Sequence, residues 1–426
     1  MLSKIQELSD SIKRLGVDYV HVFCEDKYEF FTEHYKSRLN ENERNIRGIS
    51  IIVYKDNKSG FAATNNLTDE GIQQMIVRAL KKIDMETVSQ KKNLDLNFCD
   101  LGYKFKHYHK EINPVNEFAT KLLTSEVIRR TLISNNGDSP IEENIHYGSL
   151  ISELEFSNHL FERCIGWGNY IDNVTPSIYK LNDEVSFIKN KYIQSVKINN
   201  GIYSMVFGNL AAGMLFHEIV HLFESRNNEF PLEKITNINK NLTIFSNPTR
   251  PGLFGSYKFD DEGRTSQEVC LVKNGEVKNL ITNSLKNSNI DIDSNGHGRR
   301  EDFRYRSYPR MSNVEILSGE VSFDKLLSHS NNSLYIQKIK AGNANHKTGI
   351  INLKVEEAFE IVDGEIGNPI KPFFISGSIE DFLSRLELIG DDPKAISISC
   401  KGSSGIIPVS LTQPSVFINA LTIVSE

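Results

Sequence analysis

The chain has 426 residues, beyond the size at which one hydrophobic core usually stops growing, so two domains are expected. Hydrophobic residues make up 39% and charged residues 24%, ordinary globular usage that argues against a disordered chain and against a membrane protein. A net charge of −6 supplies no overall field that would gather nucleic acid.

Met1 to Gly16 places Leu2, Ile5, Leu8, Ile12 and Leu15 at helical spacing among charges, the pattern of an amphipathic helix and not of an export signal's apolar run. Tyr19 to Phe23 and Ser50 to Tyr54 are rich in β-branched and aromatic residues and read as strands. Thr68 to Ile83 opens on an N-cap residue and sets Ile72, Ile76, Leu80 and Ile83 on one helical face. A further helix is expected after Asn113 and Pro114, carrying Phe118, Leu122 and Leu123, with strands from Thr131 onward. The pattern weakens between Lys180 and Asn209. The expected fold is therefore α+β, a mixed N-terminal domain over residues 1–190 followed by a β-rich domain over 191–426 with one strong helix, Asn209 to Arg226. Asn274-Gly275 and Asp363-Gly364 mark hairpins in the second half. Five scattered cysteines, Cys24, Cys99, Cys164, Cys270 and Cys400, do not form a disulfide framework and point to a reducing, cytoplasmic compartment.

The sharpest chemical signal is His217-Glu218-Ile219-Val220-His221, set in an apolar, helix-compatible stretch. Histidines at i and i+4 lie about 40° apart around a helix, so both imidazoles can face one ion. Glu218 could then take a proton from a water whose pKa a zinc ion has lowered, the chemistry of metal-assisted amide hydrolysis. The structural alternative makes both histidines satisfied core residues. A third ligand would decide between them. Glu224 shares the helical face but is too close along the helix to complete a tetrahedral site, which favours a role in orienting a histidine N–H. Cys400, near glycines ahead of a β-rich terminus, is either a small buried hydrophobe or an exposed thiolate.

The ending Cys400-Lys401-Gly402, Ile407-Pro408-Val409-Ser410, Gln413-Pro414 and Leu421-Thr422-Ile423-Val424 resembles the closing signature of the TldD/PmbA family. Asp260-Asp261-Glu262-Gly263, Gly298-Arg299-Arg300-Glu301, Pro309-Arg310-Met311-Ser312-Asn313 and Glu357-Ala358-Phe359 resemble further family blocks in the same order. The resemblance implies a zinc peptidase whose metal is bound by His217, His221 and Cys400, with Glu218 as general base. It also implies attack of zinc-bound water without an acyl-enzyme, substrates that are unfolded or extended peptides, and a homodimer or a heterodimer with a family partner. The family usually has three residues between the motif glutamate and the second histidine, whereas only Ile219 and Val220 intervene here; Ser225 and Arg226 stand where glycine and aspartate are common. The alternatives are a non-catalytic partner or binding subunit, which in this family lacks the ligands, and a zinc hydrolase of modified peptides or non-peptide amides.

Arg299, Arg300, Arg304, Arg306 and Arg310, interleaved with Phe303, Tyr305 and Tyr308, have the composition of a base-stacking patch, but one short cluster in an acidic chain reads better as a solvated strand face or structural ion pairs. Contact between Arg300 and a substrate carbonyl or carboxylate is a further expectation, and His297 reads as a turn histidine at the surface or beside the site. No Walker loop, dinucleotide fingerprint or serine-nucleophile elbow is present.

Overall fold

The computed structural model describes residues 2–35, 38–85, 121–156, 159–168, 194–225, 231–232, 235–285, 294–329 and 333–425. The fold is mixed α+β, strand-rich with few helices. In chain order the first part runs α1 (Leu2–Lys13), β1 (Tyr19–Tyr35), β2 (Arg38–Lys55), β3 (Lys58–Thr64), α2 (Asp69–Lys81), β4 (Lys121–Asn135), β5 (Ile141–Phe156) and β6 (His159–Gly168). These six strands make one antiparallel sheet in the order β3-β2-β1-β4-β5-β6.

Alternation along β1 explains the layers of this part. Val20, Val22 and Cys24 join Ile49, Ile51 and Val53 against the apolar faces of both helices, Ile5, Leu8 and Ile12 from α1 and Ile72, Met75, Ile76 and Ala79 from α2. The Thr68 hydroxyl caps α2 by accepting from the Gly71 N–H. The intervening residues His21, Phe23, Glu25 and Lys27 face the rest of the molecule: Phe23 packs with Phe303, and the Lys27 ammonium donates to the Glu301 carbonyl.

The second part runs β7 (Gly201–Phe207), α3 (Asn209–His221), β8 (Ile244–Ser246), β9 (Val269–Lys273), β10 (Glu276–Val277), β11 (Gly298–Arg299), β12 (Tyr308–Pro309), β13 (Asn313–Ile316) and α4 (Phe323–Ser328). It continues through β14 (Leu334–Ala344), β15 (Ile350–Val362), β16 (Glu365–Ile370), β17 (Phe373–Ser378), α5 (Ile379–Ser384), β18 (Leu386–Ile389), β19 (Lys394–Gly402), β20 (Gly405–Gln413) and β21 (Val416–Ser425). One sheet has the order β14-β7-β21-β17-β15-β16; because β14 also pairs with β15, strands β14, β7, β21, β17 and β15 close into a ring. The other has the order β10-β9-β8-β13-β20-β19, leaving β19 at its edge. Helix α3 packs against β14 and against the β19–β20 hairpin, and is buried almost all round, as its mainly apolar sequence demands.

Several expectations need correction. Leu122 and Leu123 belong to β4, which begins at Lys121, ten residues before the expected strand onset; Phe118 and the expected helix start lie outside the described residues. Helix α3 ends at His221, short of the expected Arg226. There the chain turns to pair with Ile281, whose N–H and C=O bond to Phe223 C=O and Ser225 N–H. Part of the weakly patterned Lys180–Asn209 stretch also lies outside the described residues. The two Asx-Gly hairpins form as expected, with positive φ at both residues of Asn274-Gly275 and of Asp363-Gly364.

Candidate metal centre

His217 and His221 stand one turn apart on α3, with ring centres 4.5 Å apart and planes at 80°. Their Nε2 atoms approach to 3.1 Å, and Cys400 Sγ on β19 lies 3.3 Å from His221 Nε2. One donor atom from each of His217, His221 and Cys400 falls within 4.8 Å of the others. Two imidazole nitrogens and one thiolate sulfur are a donor set that suits zinc. Among the described residues the buried His217 Nδ1 has no hydrogen-bond partner, and its Nε2 is turned toward the other two donors.

The surroundings prepare these donors. Glu224, displaced from the helix by the turn toward Ile281, brings Oε2 to 3.3 Å from His221 Nδ1. That contact favours a proton on Nδ1 and leaves Nε2 the nitrogen available to a metal. Burial opposes ionisation of Glu224, but His221, Arg310 and the Met311 N–H overcome it and hold the carboxyl below its usual range. Burial likewise opposes charge on both Cys400 and His221. The two histidines nevertheless hold the Cys400 thiol well below its ordinary value, while Glu224 and Cys400 hold His221 well above its own.

The donors line a cleft of about 730 Å³. One wall comes from β5 and β6 through Ile151, Glu162 and Cys164, the other from the end of β14 and from β19. Glu218 is nearly buried beside His217 and borders the same cleft. It rests on Gly342 of β14, where an added Cβ would stand 2.4 Å from Glu218 Cγ, so only glycine admits this approach. All four expected site residues, His217, Glu218, His221 and Cys400, therefore border one cleft.

Most of the arginine cluster is interior, not a solvated strand face, with Arg304 its exposed member. Arg299, Arg300 and Arg310 are nearly fully buried. Arg299 stacks on Tyr257 and donates to the Met311 and Pro408 carbonyls. Arg300, expected near substrate, instead spans the two parts of the molecule: it lies 4.3 Å from the Phe23 ring centre and donates to His21 Nε2, Ser50 Oγ and the Asp261 carbonyl. Arg304 pairs with Asp302 and Arg310 with Glu224, structural ion pairs of the expected kind, and Arg306 donates to Tyr54 and Ser59. His297 is no turn histidine at the surface; it is completely buried, with Nδ1 donating to the Asn295 carbonyl and Nε2 bonded to Ser246. Sequence reasoning missed Gly342, the placement of Arg310, and His346, which borders the cleft with its ring centre 6.4 Å from that of His221. Only the block around Pro309 and Arg310 carried any signal of this.

Comparison with known proteins adds the lineage. The model for the PmbA/TldA metallopeptidase C-terminal domain matches residues 200–425, and that for domain 1 of the same family matches residues 22–83. The chain belongs to the PmbA/TldA metallopeptidase family. It is 25% identical over 428 residues to a metalloprotease TldD homolog of Buchnera aphidicola, covering 90% of this chain and 87% of that protein. Among solved structures it resembles a proposed DNA gyrase modulator of Thermotoga maritima (TM-score 0.73, 18% identity, all of both chains). It also resembles TldE of Thermococcus kodakarensis (TM-score 0.72, 15% identity, 99% of both chains). At these identities the two structures establish the shared fold. Family membership supports a peptidase role at the family level, and the converging histidines and cysteine are a candidate metal site.

Proposed function

We propose that the chain is a zinc-dependent peptidase acting on unfolded or extended peptides, with His217, His221 and Cys400 holding the metal and Glu218 as general base. The observation that carries this reading is the convergence of two imidazoles and a thiolate in a cleft that Glu218 also borders. A zinc ion held there would supply Lewis acidity, polarising the scissile carbonyl and acidifying the attacking water. Glu218, fixed against Gly342, takes the water's proton and returns it to the leaving amine, so hydrolysis is direct and no side chain is acylated.

Strand edges support the substrate class. Among the described residues β14 pairs on its β7 side only through Leu334, Ile336 and the residue between them, its far end, Lys340 to Ala344, borders the cleft, and β19 is the edge strand of its own sheet. An extended peptide can pair with such edges, which recognise backbone more than side chains. Family membership and the TldE-like fold support a dimer, either of two copies or with a TldD/TldE-type partner. The described cysteines are all free and no described helix is long and apolar enough to cross a membrane, in keeping with a reducing cytoplasmic setting. The test is incubation of zinc-loaded protein with an unstructured peptide, with and without a family partner. Cleavage that a chelator abolishes and zinc restores is expected; a metal-replete protein that cuts nothing in either condition is a binding subunit instead.

A further inference from the structure

The donors of the candidate metal centre come from two elements that lie far apart in sequence, the end of α3 and the β19 strand, and one side chain touches the supports of both. Arg310, between β12 and β13, has its own backbone N–H bonded to the His297 carbonyl at 3.0 Å. Its Nη2 donates to the Cys400 carbonyl at 2.8 Å and to Cys400 Sγ at 3.0 Å. Its Nη1 donates to Ser404 Oγ and to the Gly405 carbonyl, at 3.0 and 3.2 Å, in the turn that follows. Its Nε lies 3.6 Å from Glu224 Oε1, the carboxylate that engages His221. Both side chains of this ion pair are 2% exposed.

We propose that Arg310 is the positioning residue of the metal centre: its guanidinium holds the Cys400 sulfur and the Glu224–His221 pair in one rigid frame. The inference rests on the three-donor reading above. Only a planar fork can donate to the sulfur and to the hairpin oxygens through its two Nη atoms while its charge also faces the Glu224 carboxylate; a lysine ammonium is a single point of charge. Away from water these charge-assisted bonds are strong, and the cation balances a thiolate and a carboxylate that would otherwise be buried beside each other. The hairpin is shaped to admit it. A Cβ on Gly402 would stand 2.5 Å from Arg310 Nη1, so glycine here lets the strand close over the guanidinium.

The test uses apoprotein of the parent and of Arg310→Lys, Arg310→Met and Gly402→Ala, with folding checked by circular dichroism. Zinc affinity is read by chelator competition, and cobalt(II) serves as a probe through its thiolate charge-transfer absorption. Arg310→Lys and Gly402→Ala are expected to stay folded, to lose about 10–100-fold in zinc affinity as metal sites do when supporting hydrogen bonds are removed, and to shift or weaken the cobalt–thiolate band. Arg310→Met is expected to lose more. Parent-like affinity and spectrum in both Arg310→Lys and Gly402→Ala would overturn the proposal, whether or not Arg310→Met folds. A parent protein without any cobalt–thiolate band would instead overturn the three-donor reading on which it stands.

Discussion

Glu218 and Glu224 are close in sequence yet have opposite surroundings. Glu224 is engaged by His221, Arg310 and the Met311 N–H, contacts that suit it to orienting the proposed ligand His221. Glu218 rests against a glycine at the border of the cleft, where a carboxylate can exchange a proton with water. Glu218→Gln is therefore expected to keep its zinc while peptide turnover falls by about 10²–10⁴-fold, the usual loss when a general base is removed. Turnover and bound zinc measured on the same sample check this, and parent-like turnover would remove Glu218 from the mechanism. At this scale the sequence was informative wherever chemistry is local. His217 and His221 share a helix, so their spacing alone sets them on one face, whereas Cys400 needed the family resemblance because nothing in its own neighbourhood distinguishes a ligand from a core thiol. Arg310 was legible only as part of an arginine-rich run, since its role depends on a hairpin some ninety positions further along.

The elements show where pattern reading stops short. The apolar period ends at Phe23, but β1 continues to Tyr35 because its charges are paired: Glu25 with Arg129, Asp26 with Arg47 and Lys27 with Glu29. A buried charge reads as a turn or a surface in one dimension; its partners come from β4, from β2 and from two positions along β1 itself. The Asn-Gly and Asp-Gly turns announce their hairpins, whereas Asp56-Asn57, which joins β2 to β3 with positive φ at both residues, has no glycine to advertise it. Close packing between α3 and β14 is similarly silent in the sequence, yet it fixes Glu218, the proposed base. Gly342→Ala would drive a methyl into Glu218 and displace its carboxylate, and a misplacement of about 1 Å can cost 10²-fold in rate. The expected outcome is a fall in turnover with zinc content and thermal midpoint near those of the parent; unchanged turnover would mean that the carboxylate position does not matter.

At the scale of the whole molecule, buried polar contacts join one face of the first sheet to the second part. Arg129 binds Asp261 at 2.8 Å, Arg163 binds Glu357 at 2.7 Å, and His21 accepts from Arg300 at 3.0 Å. Burial, then the adjacent Arg300, pushes the His21 pKa down from 6.5 to about 3, and burial pushes that of His297 down to about 4. Both imidazoles are neutral in the folded protein and titrate near 6.5 when it unfolds. Between pH 6.5 and those lower values the unfolded chain binds more protons, so the stability contributed by the two histidines is whole above pH 6.5 and is lost as the pH falls toward 4 and 3. The loss is up to about 1.4 kcal/mol per pH unit for each histidine. Denaturant midpoints taken at neutral pH and at about pH 5 should fall for the parent and fall less for His21→Gln, and equal slopes would contradict these assignments.

Metal content is the most direct test of the three-donor site. Elemental analysis of the purified protein beside its His221→Ala and Cys400→Ala variants should find about one zinc per chain in the parent and almost none in either variant, as a site with only three protein ligands requires. Zinc retained at full stoichiometry in the Cys400→Ala protein, or a parent that binds none under metal-replete conditions, would contradict it.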